Sequence, residues 1–267
     1  TSSVSVGTLN VLSGQATYAD FSSDVYIKDI NLDSTNAISM SDFNGNVTAT
    51  TLDLTDGGNA AVATAKFAKD VTAAITLTDA GGGDDAVLIF DGTTKQTVTG
   101  IIDGAAANSG NVTVSNVTAD MGVTFMSNIT DTHQITVDTS GIADFRGTVG
   151  AYDVTIGNLG DITLHKALVA ANNFTLDNTA STNITIGPGQ TYGDASNAST
   201  DMITGADIVF TNTGGSEVVN VYLPSDFTSG HLVLFQDSDS TGVSAAELAD
   251  VTPVDTFLVD YAAADGG

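Results

Sequence analysis

Residues 145–164 read FRGTVGAYDVTIGNLGDITL. In this stretch Phe145 is followed by Val149, Ala151, Val154 and Ile156, at offsets of 4, 6, 9 and 11. The same offsets recur upstream, where Phe43 leads Val47, Ala49, Leu52 and Leu54. Leu164 leads Leu168 and Ala170 and then, one residue late, Phe174 and Leu176. Phe67 leads Val71 and Ala73 and then, one residue early, Ile75 and Leu77. Phe125 with Ile129 is a partial copy, and the starts at 125, 145 and 164 lie 20 and 19 residues apart. A degenerate repeat near this period suits one coil of a parallel β-solenoid, whose inward side chains stack on their equivalents in the next coil. The alanine at offset 6 fits a small inward residue at a tight corner, and the leading Phe or Leu fills the wider part of the core.

Between these landmarks the chain runs apolar, polar, apolar: Val112–Val114, Ile135–Val137, Val154–Ile156, Ile162–Leu164, Phe174–Leu176 and Ile184–Ile186. This is the alternation of half-buried strands, and Gly, Asn and Asp break the runs with turn chemistry. Helical periodicity is almost absent, the best candidate being the short acidic run Val243–Leu248. The chain is therefore all-β. An antiparallel sandwich would also alternate, but it does not require shared offsets. Coils from about Asn44 to Gly187 give an expected rod of about seven turns, on the order of 35 Å long. The copies fit poorly from 79 to 124, which points to an insertion or an irregular coil there.

Three regions are expected: 1–40, a β segment acting as a cap or as a strand donated to a neighbour; 41–190, the solenoid; and 191–267, an antiparallel β domain or cap. The last boundary falls in the turn-rich stretch GPGQTYGDASNASTDMIT, residues 187–204, beyond which lie longer strand-like runs such as Val218–Leu223 and Leu232–Phe235. All three prolines (Pro188, Pro224 and Pro253) fall at or after it, and no Lys or Arg follows Lys166. The opening at Thr1 without a signal-peptide pattern suggests a processed form or part of a longer polypeptide.

Composition excludes several functions. The formal net charge is −26, from 32 acidic and 6 basic residues, which disfavours nucleic acid and anionic membrane faces as partners. With 42% hydrophobic residues the chain is not a disordered acidic tail. There is no cysteine, hence no disulfide, thiolate metal site or cysteine nucleophile. No apolar run reaches the length of a membrane span. Few lysines, abundant Thr, Asn, Asp and Gly, and no Trp lean toward a secreted, extracellular or cell-surface location.

The run AVLIFDGTTKQTVTGIIDGAAANSGNVTVSNVTADMGVTF, residues 86–125, resembles the β-strand-repeat surface proteins of bacteria, among them S-layer proteins and autotransporter passenger domains. FRGTVGAYDVTIGNLGDITL and ALVAANNFTLDNTASTNITIG extend the resemblance, so that it covers roughly residues 43–187. The resemblance implies a building block of a surface layer, filament or extracellular matrix, with copies of itself as partners.

Catalytic constellations are scarce. There is no G-x-S-x-G elbow, Walker loop or H-E-x-x-H helix, and His133, His165 and His231 are widely spaced. A polysaccharide-degrading solenoid enzyme stays an alternative, with paired carboxylates as its only chemistry. Calcium is the more plausible ligand, because hard cations favour clustered carboxylate and carbonyl oxygens. Asp237, Asp239 and Thr241, with Gly242 next and Glu247 beyond, follow the opening of a calcium loop, although Glu247 falls one position early for a full one. Asp84 and Asp85 after three glycines form a second candidate site. The alternative for both is a solvated acidic turn. The leading expectation is a non-enzymatic structural protein that self-assembles with cation-dependent contacts; the other is an adhesin or glycan-binding surface module.

Overall fold

A computed structural model describes residues 6–13, 15–35, 38–57, 61–79, 86–118, 122–138, 140–157, 161–166, 168–178, 182–186, 203–204, 207–212, 219–222 and 233–237, with side chains for most of these up to Leu168. The 22 strands among the described residues all pair in parallel, each with the strand one coil away, in a solenoid of about six turns. The all-β class and the parallel solenoid are thus as read from the repeat.

Three columns of inward residues define the cross-section. The first holds Phe21, Phe43, Phe67, Phe90, Val114, Val137 and Ile156, one above the next. They lie on β2 (Thr17–Phe21), β4 (Ile38–Phe43), β6 (Val62–Phe67), β8 (Ala86–Phe90), β11 (Asn111–Val114) and the second halves of β13 (Ile129–Val137) and β15 (Val149–Ile156). Pairing continues through β17 (Leu168–Asn178), β20 (Asp207–Asn212) and β22 (Val233–Asp237).

The second column holds Val25, Val47, Val71, Val98, Phe125, Phe145 and Leu164. It is built by the first residues of β3 (Val25–Ser34), β5 (Val47–Asp56) and β7 (Val71–Asp79), then by β9 (Gln96–Thr99), β12 (Val123–Phe125), β14 (Ile142–Phe145) and β16 (Asp161–Leu164). β18 (Thr182–Ile186) and β21 (Val219–Tyr222) follow it. The third column holds Leu9, Ile30, Leu52, Ile75, Ile102, Ile129, Val149 and Leu168. It starts on β1 (Val6–Ser13), passes through the later parts of β3, β5 and β7 and through β10 (Ile102–Gly104), and reaches β19 (Ile203–Thr204) by way of the first halves of β13, β15 and β17.

The chain visits the columns in the same cyclic order throughout, but the short corner moves. In the N-terminal half it lies between the first and second columns, as at Phe43 to Val47. In the C-terminal half it lies between the second and third, as at Phe145 to Val149. Phe43 and Phe145 begin identical sequence motifs yet stand in different columns: Phe145 stacks above Val98 and Phe125, while Phe43 shares its column with Val137 and Ile156. Equivalence by offset is corrected to equivalence one corner round. Residues 91–110, in the segment where the copies fit poorly, make the handover. Their coil is broken at every corner, and Gly100 at φ 121° interrupts the run that stays continuous in β7.

Packing follows the columns. One apolar cluster extends from Ile30 to Leu168, and Phe43, Phe67, Phe90, Phe125 and Phe145 are its bulkiest members. The rings of Phe21, Phe43, Phe67 and Phe90 are stacked with centroids 4.7, 5.2 and 5.5 Å apart, close to the strand spacing. Each buried ring contributes about 1.5–3 kcal/mol through removal from water and each ring pair about 0.5–1.5 kcal/mol more. Ala73 and Ala151, at offset 6, are buried as small inward residues.

Where polar side chains turn inward they are paired. Gln96 Nε2 donates to the carbonyls of Phe67 (2.8 Å) and Lys69 (3.1 Å), while its Oε1 accepts from the Gly92 N–H (2.9 Å) and from Asn116 Nδ2 (2.8 Å). Asn116 Nδ2 donates also to the Thr94 carbonyl, and Asn116 Oδ1 accepts from the Thr118 N–H. This amide pair fastens the irregular coil.

The antiparallel region expected over 191–267 lies largely outside the described residues; the strands described within it are parallel. Among the described residues no helix is long and apolar enough to cross a membrane.

Candidate functional site

A solenoid must end somewhere, and its ends are its reactive surfaces, because a terminal strand has paired backbone groups on one side only. At the N-terminal end β1 pairs with β3 and β2 with β4, and neither has a second partner among the described residues. Phe21 closes the aromatic ladder: it lies flat on Phe43 (centroids 4.7 Å apart, planes at 7°) but is only half-buried. Leu9, Val11, Val25 and Ile27 are likewise partly buried against the core. Around them Leu12 is 68% exposed, Tyr18 61% and Ile38 58%. Leu12 and Tyr18 point to the outer faces of their strands, Leu12 into a polar groove and Tyr18 toward Asp42.

The carbonyl of Phe21 accepts from the Asn44 N–H at 2.9 Å and so faces β4. Backbone groups alternate along a strand, so those of Asp20 face away from the stack. Side chains on the outer face hold the edge in shape. Tyr18 Oη donates to Asp42 Oδ2 at 3.0 Å, which keeps the phenol protonated to higher pH than usual, Asp42 being the main cause. Asn44 Nδ2 donates to Asp20 Oδ1 at 3.0 Å, and Asn31 Nδ2 to Asn10 Oδ1 at 2.7 Å. Lys66, two coils in, bonds Asp91 at 2.6 Å, and that bond raises its pKa.

The flank beside this edge is acidic. A groove of about 410 Å³ is lined by Asn10, Leu12, Asn31, Asp33, Asp53 and Thr55, together with Leu32 and Thr78. On the opposite half a cleft of about 320 Å³ is lined by Ala107, Asn108, Thr130, Asp131, Thr132 and Gly150, with Ala151 at its floor. Asn108 and Asp131 both have left-handed backbones (φ 65° and 55°) at this cleft. His133 and Tyr152, which follow on the same strands, are in ring contact at 5.5 Å.

The sites read from the sequence are not brought together by what is described. Asp84 and Asp85 lie between β7 and β8, outside the described residues; Asp237 ends β22, and Asp239, Thr241 and Glu247 lie outside the described residues beyond it. Among the described residues no group of three or more His, Asp or Glu side chains could hold a metal ion. His165 contacts buried Asp144 at 2.8 Å, and Arg146 Nε contacts the same carboxylate at 3.0 Å. Both contacts to that carboxylate come from side chains of the same chain.

Sequence reasoning overlooked Phe21, yet its signal was present. Phe21 leads Val25, Ile27, Ile30 and Leu32 at the same offsets of 4, 6, 9 and 11. The chain's fold makes it a parallel β-solenoid protein. Comparison with protein families, with characterised proteins and with solved structures finds no match to it.

Proposed function

We propose that this chain is a non-enzymatic structural protein that assembles with copies of itself into a surface layer or extracellular filament, in the manner of the bacterial repeat proteins it resembles. The observation that carries this reading is at the N-terminal strands β1 and β2, which among the described residues pair on one side only, with Phe21 half-buried and Leu12, Tyr18 and Ile38 exposed. A secreted location agrees with the composition. The charge of −26 sets a condition on assembly, since copies repel one another until cations screen or bridge them. Seawater-like ionic strength shortens the Debye length to roughly 4 Å, against about 30 Å in dilute buffer. Calcium is the bridging ion we favour, because carboxylates and carbonyls are its preferred ligands. Negative-stain microscopy and light scattering, with and without calcium and salt, test the reading. Extended particles that dissolve in chelator and low salt are expected. Monomers under every condition would overturn it, and particles indifferent to chelator and salt would remove the role of cations.

A second reading, a glycan-binding surface module, draws on the cleft at Asn108, Asp131 and Gly150 with the His133–Tyr152 ring pair beside it. Polar groups in fixed backbone positions beside an aromatic face are what a sugar ring requires. Glycan-array binding that disappears in Tyr152→Ala supports this reading, and an array blank for the wild type removes it.

A further inference from the structure

Arg146 and Lys166, the only Lys or Arg residues beyond Lys95, stand on successive coils one corner away from the cleft at Asn108, Asp131 and Gly150. The Arg146 N–H bonds the Phe125 carbonyl at 2.9 Å and the His165 N–H bonds the Phe145 carbonyl at 3.0 Å, so Arg146 and His165 are neighbours one coil apart. Their side chains are 48% and 41% exposed, and Lys166 beside them is exposed as well. What gathers them is Asp144. Thr97, Thr124 and Thr163 hold its register position on the other coils. The aspartate in that threonine run is fully buried, with Arg146 Nε 3.0 Å from Oδ2 and His165 Nε2 2.8 Å from Oδ1. A buried carboxylate is costly unless it is paired, so Asp144 holds an arginine and a histidine at one spot on the outer face.

Resting on the glycan-binding reading above, we infer that Arg146 and His165 anchor an acidic group, a carboxylate or a sulfate ester, on a glycan whose neutral ring occupies the cleft.

Donors remain at the anchor after Asp144 is served. Arg146 gives it Nε and has no other partner among the described residues, so the terminal guanidinium nitrogens are open to a ligand. Such a fork matches the oxygens of a carboxylate or sulfate. The path from cleft to anchor is short and low. Gly150 is four residues on from Arg146, about 14 Å of chain at most, and Gly147 and Gly150 bring no side chain onto it. Thr148 and Asn128 at the corner are polar and exposed, and Asn128 Oδ1 accepts from the Thr148 N–H at 3.0 Å. Charge sets the direction of the ligand. Asp131 in the cleft repels an acidic group and accepts from hydroxyls, so the neutral ring lies there and the acidic group at Arg146. Charge also sets its composition: a chain at −26 repels a polyanion, whereas a sugar with one acidic substituent makes its contact well inside the Debye length of about 8 Å.

The test is a glycan array followed by calorimetry on the full chain, with neutral oligosaccharides, the same oligosaccharides capped by one glucuronate or one sulfate, a fully sulfated polysaccharide, and inorganic sulfate. The capped sugars should bind about tenfold or more tightly than their neutral parents. Arg146→Gln should cancel that advantage and leave the affinity for the neutral parent unchanged. Because Arg146 also pairs the buried Asp144, the double variant Asp144→Asn with Arg146→Gln repeats the comparison with no buried charge left unpaired. In nitrogen-edited histidine spectra the capped sugar should move the His165 imidazole signal, and its neutral parent should not; an Arg146 that serves only the fold would give no such difference. Equal binding of neutral and capped sugars would overturn the anchor and leave the glycan reading standing, while a blank array would overturn both. Inorganic sulfate that binds as tightly as the capped sugars, or a polysulfate that outbinds them, would overturn the anchor as a glycan subsite and leave only an unselective anion contact. Arg146→Gln that blocks association of copies without touching sugar affinity would overturn it too, and would give the patch to the carboxylates of a second copy.

Discussion

The rings of Phe90 and Phe125 meet edge to face, centroids 5.3 Å apart and planes at 88°, and between them the aromatic ladder passes from one corner of the solenoid to the next. Below the contact the rings stack in the first column, up to Phe90 on Phe67; above it Phe145 lies flat on Phe125 at 5.1 Å in the second. One perpendicular contact between two stacked runs preserves a dry core while the chain changes register.

That contact has a measurable coupling. Phe90→Leu and Phe125→Leu should each cost about 1–2 kcal/mol in urea denaturation, through lost ring contact and imperfect refilling. The double variant should cost less than the sum by about 0.5–1.5 kcal/mol, the worth of an aromatic pair. Strict additivity would mean that the edge contact contributes nothing beyond burial.

Gly100 has a backbone that only glycine adopts freely, and a Cβ there would lie 1.9 Å from the Ala73 carbonyl oxygen. Gly100→Ala should lose about 1–3 kcal/mol from the φ angle, with the overlap adding to it. Gly150 has nothing closer than 3.7 Å to such a Cβ. Gly150→Ala should leave stability unchanged or raise it by up to about 1 kcal/mol. Thermal melts of the two variants side by side check the contrast.

The buried amide pair makes a prediction about modification as well as stability. Asn116 begins the sequon Asn116-Val117-Thr118, but its side chain is fully buried and donates to Thr94 and Gln96. An intact mass from a glycosylating host should show this position bare. Gln96→Leu leaves the Gly92 N–H, the Phe67 and Lys69 carbonyls and the Asn116 amide short of partners. It should cost about 2–4 kcal/mol, since each stranded buried group costs about 1–3. A loss below 1 kcal/mol in chemical denaturation would show that the irregular coil does not depend on it.

Lys66 gives a pH dependence whose sign is fixed. Its bond to Asp91 raises the ammonium pKa in the folded protein, so the stabilisation is fully present below the ordinary lysine value. It is lost as pH rises through the raised value. Lys66→Met should melt below wild type at pH 7 by an amount corresponding to about 0.5–1 kcal/mol, the pair being a third exposed. The gap should close as the pH is taken upward past the usual lysine value near 10.4. A gap that stays constant from pH 7 to 12 would assign the effect to packing of the lysine stem.

The repeat was legible because stacking equal side chains demands recurring offsets, and Phe145, Val149, Ala151, Val154 and Ile156 supply them. The change of column was not, because Val or Ile serves at any corner and a motif does not state which corner it occupies. The irregular coil showed in the poor fit of the copies from 79 to 124, but not what holds it: Gln96 and Asn116 look like loop residues until their partners, Phe67 and Thr94, are brought from other parts of the chain. Of the acidic residues singled out for calcium, Asp237 ends β22 and the others lie outside the described residues. The one-sided pairing of β1 and β2 is set by neighbouring strands and not by their own residues, so 1–40 read equally as a cap or as a donated strand.

Apart from register shifts within the β5–β7, β13–β15 and β15–β17 pairs, coil length varies between strands, and the shift of the short corner decides where that is. In the N-terminal half the variable intervals between strands follow Ser34, Asp56 and Asp79; in the C-terminal half they follow Val114, Val137 and Ile156, one corner round. Extra residues can be added at each place without disturbing the columns, so ornament is confined to two separate flanks. A rod built this way can take one set of insertions on its N-terminal half and an independent set on its C-terminal half.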